Sequence, residues 1–138
     1  MAKSEVTQLR ENIKEINILL VDDEEGIREI FRELLSELKF PKKVFEAEDG
    51  HQALSLVKNH DFHYIFTDIK MPNMNGEVLI KKIRELQKET RSKIIAVTGS
   101  YMEKMASLDG ADVHLQKPFD FDSFSKIFEQ EITRKKVS

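Results

Sequence analysis

Short apolar runs alternate along the chain with longer amphipathic ones. Residues 16 to 21, 43 to 47, 63 to 67, 93 to 98 and 112 to 116 are apolar or alternating, several of them rich in Ile, Val and Phe, and they read as five strands. Between them Glu25 to Lys39, Gly50 to Asn59, Gly76 to Glu89, Tyr101 to Leu108 and Asp120 to Arg134 read as helices. Regular alternation of strand and helix predicts an α/β fold in which a parallel sheet carries helices on both faces. Residues 16 to 134 form that unit. Residues 1 to 15 stand outside it as an extension, either an amphipathic helix built on the approximate helical spacing of Val6, Leu9, Ile13 and Ile16 or a partly disordered tail, and residues 135 to 138 trail behind.

The first helix places Ile27, Ile30, Phe31, Leu34, Leu35 and Leu38 on one face and Arg28, Glu29, Arg32, Glu33 and Glu37 on the other. The last repeats the device with Phe121, Phe124, Ile127, Phe128 and Ile132, behind an Asp120 suited to cap its amino end. Helical spacing alone explains these phenylalanines as core.

A chain of 138 residues supports one domain with a core of its own. It has no cysteine, so disulfides and thiolate metal sites are excluded. The amino terminus lacks the apolar stretch of a signal peptide, and no run has the length of a membrane span, so the expectation is a cytoplasmic protein. Lys and Arg number 22 against 25 Asp and Glu, a net charge of −3 with the signs interspersed. Nucleic-acid binding, which needs a concentrated basic surface, is not expected. The basic run Arg134-Lys135-Lys136 reads as a solvated helix end.

Chemistry gathers at the strand ends. Asp22 and Asp23 close the first apolar run, and Asp68 closes the third, just before the turn-rich Ile69 to Gly76. Three acids at the carboxyl edge of one sheet call for a compensating cation. A hard divalent ion, Mg²⁺ before Ca²⁺, suits carboxylates, a backbone carbonyl, waters and a phosphoryl oxygen. No EF-hand loop is present, and His51, His60, His63 and His114 have no metal-ligand spacing. Thr98 and Lys117 end the fourth and fifth runs, adding a hydroxyl and an ammonium to the same edge. Acids, hydroxyl and ammonium together suit phosphoryl transfer to a carboxylate.

The order and spacing of these groups resemble the receiver domain of bacterial two-component response regulators. Ile18-Leu19-Leu20-Val21-Asp22-Asp23-Glu24 is similar to its first strand and acidic pair, and Thr67 to Gly76 to its phosphoacceptor loop. Thr98-Gly99 and Lys117-Pro118-Phe119 match its two remaining signatures, so that the likeness spans about residues 16 to 132. It implies a doubly wound, flavodoxin-like sheet of strand order 2-1-3-4-5. It implies Asp68 as the phosphoacceptor and Mg²⁺ held by Asp22, Asp23, Asp68 and the backbone carbonyl of Lys70. Lys117 would then pair with the phosphoryl oxygens, Thr98 would hydrogen-bond to them after transfer, and the Lys117-Pro118 bond would be cis.

The partners implied are a sensor histidine kinase or a histidine phosphotransfer protein, with an unnamed downstream protein bound through a surface that responds to phosphorylation. The expectation is a stand-alone receiver, a monomer or weak homodimer. One position departs from the family pattern. His114 stands where an aromatic usually turns inward on activation, and Tyr101 is a candidate to supply that ring. Met102 and Met105 mark a candidate partner surface, although each also reads as core. Haloacid-dehalogenase-type phosphatases share a strand-end aspartate, but need a second acid where this chain has Lys70. A pseudo-receiver that only binds would not need the full set of acids, Thr98 and Lys117.

Overall fold

The computed structural model describes residues 14–88, 91–99 and 110–136. In chain order these form β1 (Ile16–Val21), α1 (Glu25–Ser36), β2 (Lys42–Ala47), α2 (Gly50–Asn59), β3 (Tyr64–Asp68), α3 (Gly76–Leu86), β4 (Lys93–Thr98), β5 (Val113–Gln116), α4 (Phe121–Lys126) and α5 (Glu129–Lys136). The five strands make one sheet in the order β2-β1-β3-β4-β5, and every neighbouring pair is parallel. This is the expected doubly wound α/β arrangement. The extension up to residue 13 and the stretch Tyr101 to Leu108 lie outside the described residues.

Both faces of the central strands are covered, which is why their sequences are continuously apolar instead of alternating. Ile18, Leu20, Phe66, Ile95 and Val97 point into a layer with α1, α4 and α5, whereas Leu19, Val21, Ile65, Ile94 and Ala96 point into a layer with α2 and α3. The first layer is aromatic. Phe66 lies 5.5 Å from Phe31 and 5.7 Å from both Phe124 and Phe128, ring centre to ring centre, and Tyr64 packs on Phe128 at 4.6 Å. The phenylalanines of the last helical stretch are core, as their spacing suggests, with the exception of Phe121, which is 40% exposed at the start of α4.

Helix boundaries differ from the periodicity where backbone bonding tightens. The backbone N–H groups of Glu37 and Leu38 donate to the carbonyls of Leu34 and Leu35, three residues back. That tighter turn ends α1 at Ser36 and folds Leu38 and Phe40 into the core. The stretch expected to be one helix from Asp120 to Arg134 is two, because Ile127 and Phe128 also bond three residues back. The overwound turn brings Phe124, Ile127 and Phe128 all inward. Asp120 caps the first piece, accepting from the Ser123 N–H at 2.8 Å. Helix α3 stops at Leu86 and not at Glu89, since Gln87 is extended. On α1 the two-face reading also needs correction: Ile30 is half exposed, and Arg28, expected on the polar face, is buried.

Arg84, near the end of α3, ties that helix to the approach to β5. Its guanidinium donates to the Gly110 carbonyl at 2.8 and 2.6 Å, to the Ser92 carbonyl at 2.7 Å and to the Asp112 carboxylate at 2.6 Å. Asp112 also accepts from the Ile94 N–H at 2.8 Å, which fixes the entry of β5 beside β4. Burial works against ionisation of Asp112, but the Ile94 N–H, Arg91 and Arg84 outweigh it and hold the carboxyl below its ordinary value.

An acid held low contributes stability that is present above its unfolded pKa and lost as pH falls through its folded pKa. Asp112→Asn is therefore expected to lower stability at neutral pH by on the order of 1 kcal/mol. The gap to wild type should narrow as pH falls from about 6 toward about 3. Thermal unfolding of both proteins across that range reads it, and a gap that holds constant with pH would exclude this role.

Candidate functional site

Strands β1 and β3 are neighbours, with Val21 opposite Thr67, so the next residue on each side is a carboxylate: Asp22 level with Asp68. The fold thus delivers the acids of two distant segments to one point. One oxygen from each of Asp22, Asp23 and Asp68 falls within 4.8 Å of the others. Asp22 is buried, Asp68 is half-buried and Asp23 is exposed, so the cluster opens to solvent on one side.

The backbone of Asp22 is pinned on both sides. Its N–H continues the ladder to the Ala47 carbonyl at 3.1 Å, and its carbonyl accepts from the Arg28 guanidinium at 2.6 Å. Its Oδ1 accepts from the Glu24 N–H at 2.9 Å. Its Oδ2 faces Lys117, whose Nζ lies 3.9 Å away and is also 3.9 Å from Asp68 Oδ1. The ammonium thus straddles both acids from just beyond hydrogen-bond reach.

On the remaining edge, the Lys117 N–H donates to the Thr98 carbonyl at 2.6 Å, coupling the ends of β4 and β5. The Lys117-Pro118 bond is cis. Thr98 is buried, and its hydroxyl donates to the Leu115 carbonyl at 3.5 Å, the limit of a hydrogen bond. Among the described residues, a side chain at Gly99 would meet nothing within 4 Å.

The loop after Asp68 is tightly packed. A Cβ at Gly76 would drive into the Asp68 carbonyl oxygen and the Ile69 backbone, so only glycine lets α3 start this close to the strand end. The Gly76 N–H donates to the Ile69 carbonyl at 2.8 Å, and Asn75 caps α3 through the Val78 N–H at 2.9 Å. Asn73 takes a positive φ of 71°, a conformation asparagine tolerates. Lys70 is exposed on this loop, and His114 is exposed on the edge strand, facing away from the core. Tyr101, Met102 and Met105 lie outside the described residues.

Burial raises the Asp22 pKa above its ordinary value, and the Asp68 and Asp23 charges add to that, against the Glu24 N–H and Lys117. Asp68 is raised likewise, first by burial and further by Asp23, with Lys117 and the Ile69 and Lys70 N–H groups opposing. The donors are hard oxygens, and among the described residues Lys117 is the cation in ion-pair range of the cluster. Such a set fits Mg²⁺. Arg28 is the site component that sequence reading missed: the α1 pattern assigns it to solvent, and nothing local marks it as turned toward β1. A broader groove lined by Val57, His60, Phe62 and Leu86 lies at the other end of the strands, and among the described residues its lining holds the single acid Asp61.

The model of the response regulator receiver domain matches residues 18–129. The chain belongs to that family. Chemotaxis protein CheY-3 of Vibrio cholerae is 33% identical over 124 residues, covering 85% of this chain and 95% of its own length. Response regulator protein TrrA of Thermotoga maritima, solved in complex with Mg(2+)-BeF, superposes with a TM-score of 0.73 at 32% identity, covering 83% of this chain and 97% of its own. A chain from the co-crystal structure of the Saccharomyces cerevisiae phosphotransfer protein Ypd1 and the receiver domain of Ssk1 matches with a TM-score of 0.72 at 25% identity. The match covers 89% of this chain and 92% of that one. Receiver domains of this family are phosphoacceptor signalling modules that hold Mg²⁺ at an acidic pocket.

A carboxyl whose pKa is raised by folding contributes stability below its unfolded pKa, and that contribution is lost as pH rises through the folded value. The metal-free protein at pH 7 therefore carries the full repulsion of its acids. Asp68→Asn is expected to raise the melting temperature of the metal-free receiver at pH 7 by roughly 2–6 °C. Calorimetry in a chelator and again with Mg²⁺ reads it: the variant's advantage should shrink when the ion is added, and a variant melting below wild type in chelator would contradict the electrostatic account.

Proposed function

We propose that the receiver unit, residues 16 to 134, accepts a phosphoryl group on Asp68 and signals by binding another protein. The observation that carries this reading is the convergence of Asp22, Asp23 and Asp68 within 4.8 Å with the Lys117 ammonium bridging two of them. An Asp68 carboxylate oxygen attacks phosphorus in line, the bond from phosphorus to the donor's imidazole nitrogen breaks, and that nitrogen takes up a proton. Lys117, already 3.9 Å from Asp68, closes on a phosphoryl oxygen and balances the charge received.

Asp22, Asp23, Asp68 and the Lys70 carbonyl are the ligands assigned to Mg²⁺, which when bound neutralises the phosphoryl oxygens. Thr98 holds its present acceptor at 3.5 Å and has little to lose by turning its hydroxyl to the phosphoryl group. Gly99 puts no side chain beside Thr98, which leaves the donor, and later the water that hydrolyses the acyl phosphate, room on that side among the described residues.

The donor assigned is a sensor histidine kinase or a histidine phosphotransfer protein, a reading supported by the yeast phosphotransfer complex among the similar structures. The downstream partner is a protein, neither nucleic acid nor membrane. None of the helices searched among the described residues is long and apolar enough to cross a bilayer. We place the protein in the cytoplasm as a monomer or weak homodimer that catalyses its own phosphorylation and dephosphorylation. His114 takes the family's aromatic switch position, with Tyr101 as the alternative ring.

Intact mass after incubation with acetyl phosphate or phosphoramidate is expected to show one added phosphoryl group that requires Mg²⁺ and disappears in Asp68→Asn. No adduct and no phosphate release would leave a binding-only domain, whereas phosphate release without an adduct would point to a hydrolase. Lys117→Ala is expected to slow phosphoryl uptake by on the order of 10²-fold. Thr98→Ala should still be phosphorylated, but should lose most of the phosphorylation-dependent change in amide hydrogen exchange over β4 and β5. Equal exchange responses in Thr98→Ala and wild type would remove Thr98 from the switch.

A further inference from the structure

Arg28 lies on α1 with its side chain only 7% exposed, an unusual place for a guanidinium. It has three partners. Nη1 donates to the Asp22 carbonyl at 2.6 Å, Nε donates to Glu46 on β2 at 2.9 Å, and Nη2 pairs with Glu25 at the start of α1. Arg32, one turn on, binds the same two acids, so the ion-pair network stands partly without Arg28. The bond that Arg28 makes without help from Arg32 is the one to Asp22.

That bond completes the fixing of Asp22. With its N–H on Ala47, its carbonyl on Arg28 and its Oδ1 on the Glu24 N–H, the orientation of the residue is set and Oδ2 is turned toward Lys117, which also faces Asp68. The adjoining Asp23 is carried by the same turn, where Glu24 opens α1 without a side-chain cap of its own. Building on the Mg²⁺ site proposed above, we infer that Arg28 is a positioning residue for that site, acting through the Asp22 carbonyl from behind the acids.

The sign of its effect separates this role from plain electrostatics. A buried cation this close to the cluster repels an incoming cation, so charge alone has Mg²⁺ binding tighten when Arg28 is removed. Positioning requires the opposite, since loosening what orients a ligand weakens the metal.

The test is calorimetric titration of the full metal-free chain with MgCl₂ at fixed ionic strength, at a temperature where every variant is folded by circular dichroism. Arg28→Met is expected to weaken Mg²⁺ binding roughly tenfold. Glu46→Gln, which weakens the ion pairs but leaves the Asp22 bond, is expected to lower the melting temperature while keeping Mg²⁺ affinity within about twofold of wild type. Should Arg28→Met not fold, Arg28→Lys is titrated instead, since one ammonium cannot span three acceptors in fixed directions, and weaker binding is again expected.

Unchanged or tighter binding in the Arg28 variant overturns the inference while leaving the metal site intact. Equal weakening by Glu46→Gln overturns it by reducing Arg28 to general stability. Wild type that takes up no Mg²⁺ fails the metal-site reading itself, and this inference with it.

Discussion

Two parallel strands lying side by side deliver their last residues to the same edge, and in this receiver both deliver carboxylates. With β1 and β3 in register, Asp22 and Asp68 meet whether or not their charges favour it, and Asp23 joins them from the turn. The sheet is buried on both faces, so its backbone cannot relax to separate them. What remains adjustable is the neutralising charge. Lys117 provides part of it from 3.9 Å, and the open side of the cluster leaves room for more. The raised pKa values of Asp22 and Asp68 record the same conflict from the proton's side: burial and like charges favour the neutral acids, so protons, a metal ion and Lys117 compete for one set of oxygens.

The rest of the fold is arranged to withstand that conflict. Phe31 and Phe66 pack beside Asp22 and Asp68 on one side, the aromatic layer running on through Phe124 to Phe128 and Tyr64 at the other end of β3, and Leu79, Ile80 and Ile83 fill the opposite face. These are low-entropy, close-packed contacts that need no polar satisfaction, and they stabilise a strand order that holds three acids together. The site is the place where the sequence departs from its own best stability, as expected where function and folding compete.

The three central strands were the most legible part of the sequence because burial on both faces made their apolar runs continuous. Four of the five helices read from the periodicity fall on described residues and appear there, one of them divided in two. The ends were less legible. The tightened turns after Leu34 and Phe124 depend on where Leu38 and Phe128 find space in the core, a tertiary matter that local periodicity does not encode. Site residues were visible as types at strand ends, and the sheet brought Asp22, Asp23, Asp68 and Lys117 together. Arg28 was hidden for the opposite reason. Helical periodicity sorts residues by polarity, and a guanidinium turned inward to a backbone carbonyl violates that sorting at the single position where the turn needs a donor.

The two ends of the β4–β5 pair are held by different kinds of contact. Arg84 fixes the entry of β5 through two bonds to Gly110 and one to Asp112, whereas at the exit, beyond the paired ladder itself, the described residues add the Lys117 N–H bond to the Thr98 carbonyl and a weak hydroxyl contact from Thr98 to Leu115. On the proposed switch role of Thr98, a pull on its hydroxyl would meet little resistance from its present acceptor at 3.5 Å, and firm resistance at Gly110, which Arg84 holds. A local charge change can produce a discrete surface change only if part of the frame stays still, and the Arg84 anchor supplies that fixed part.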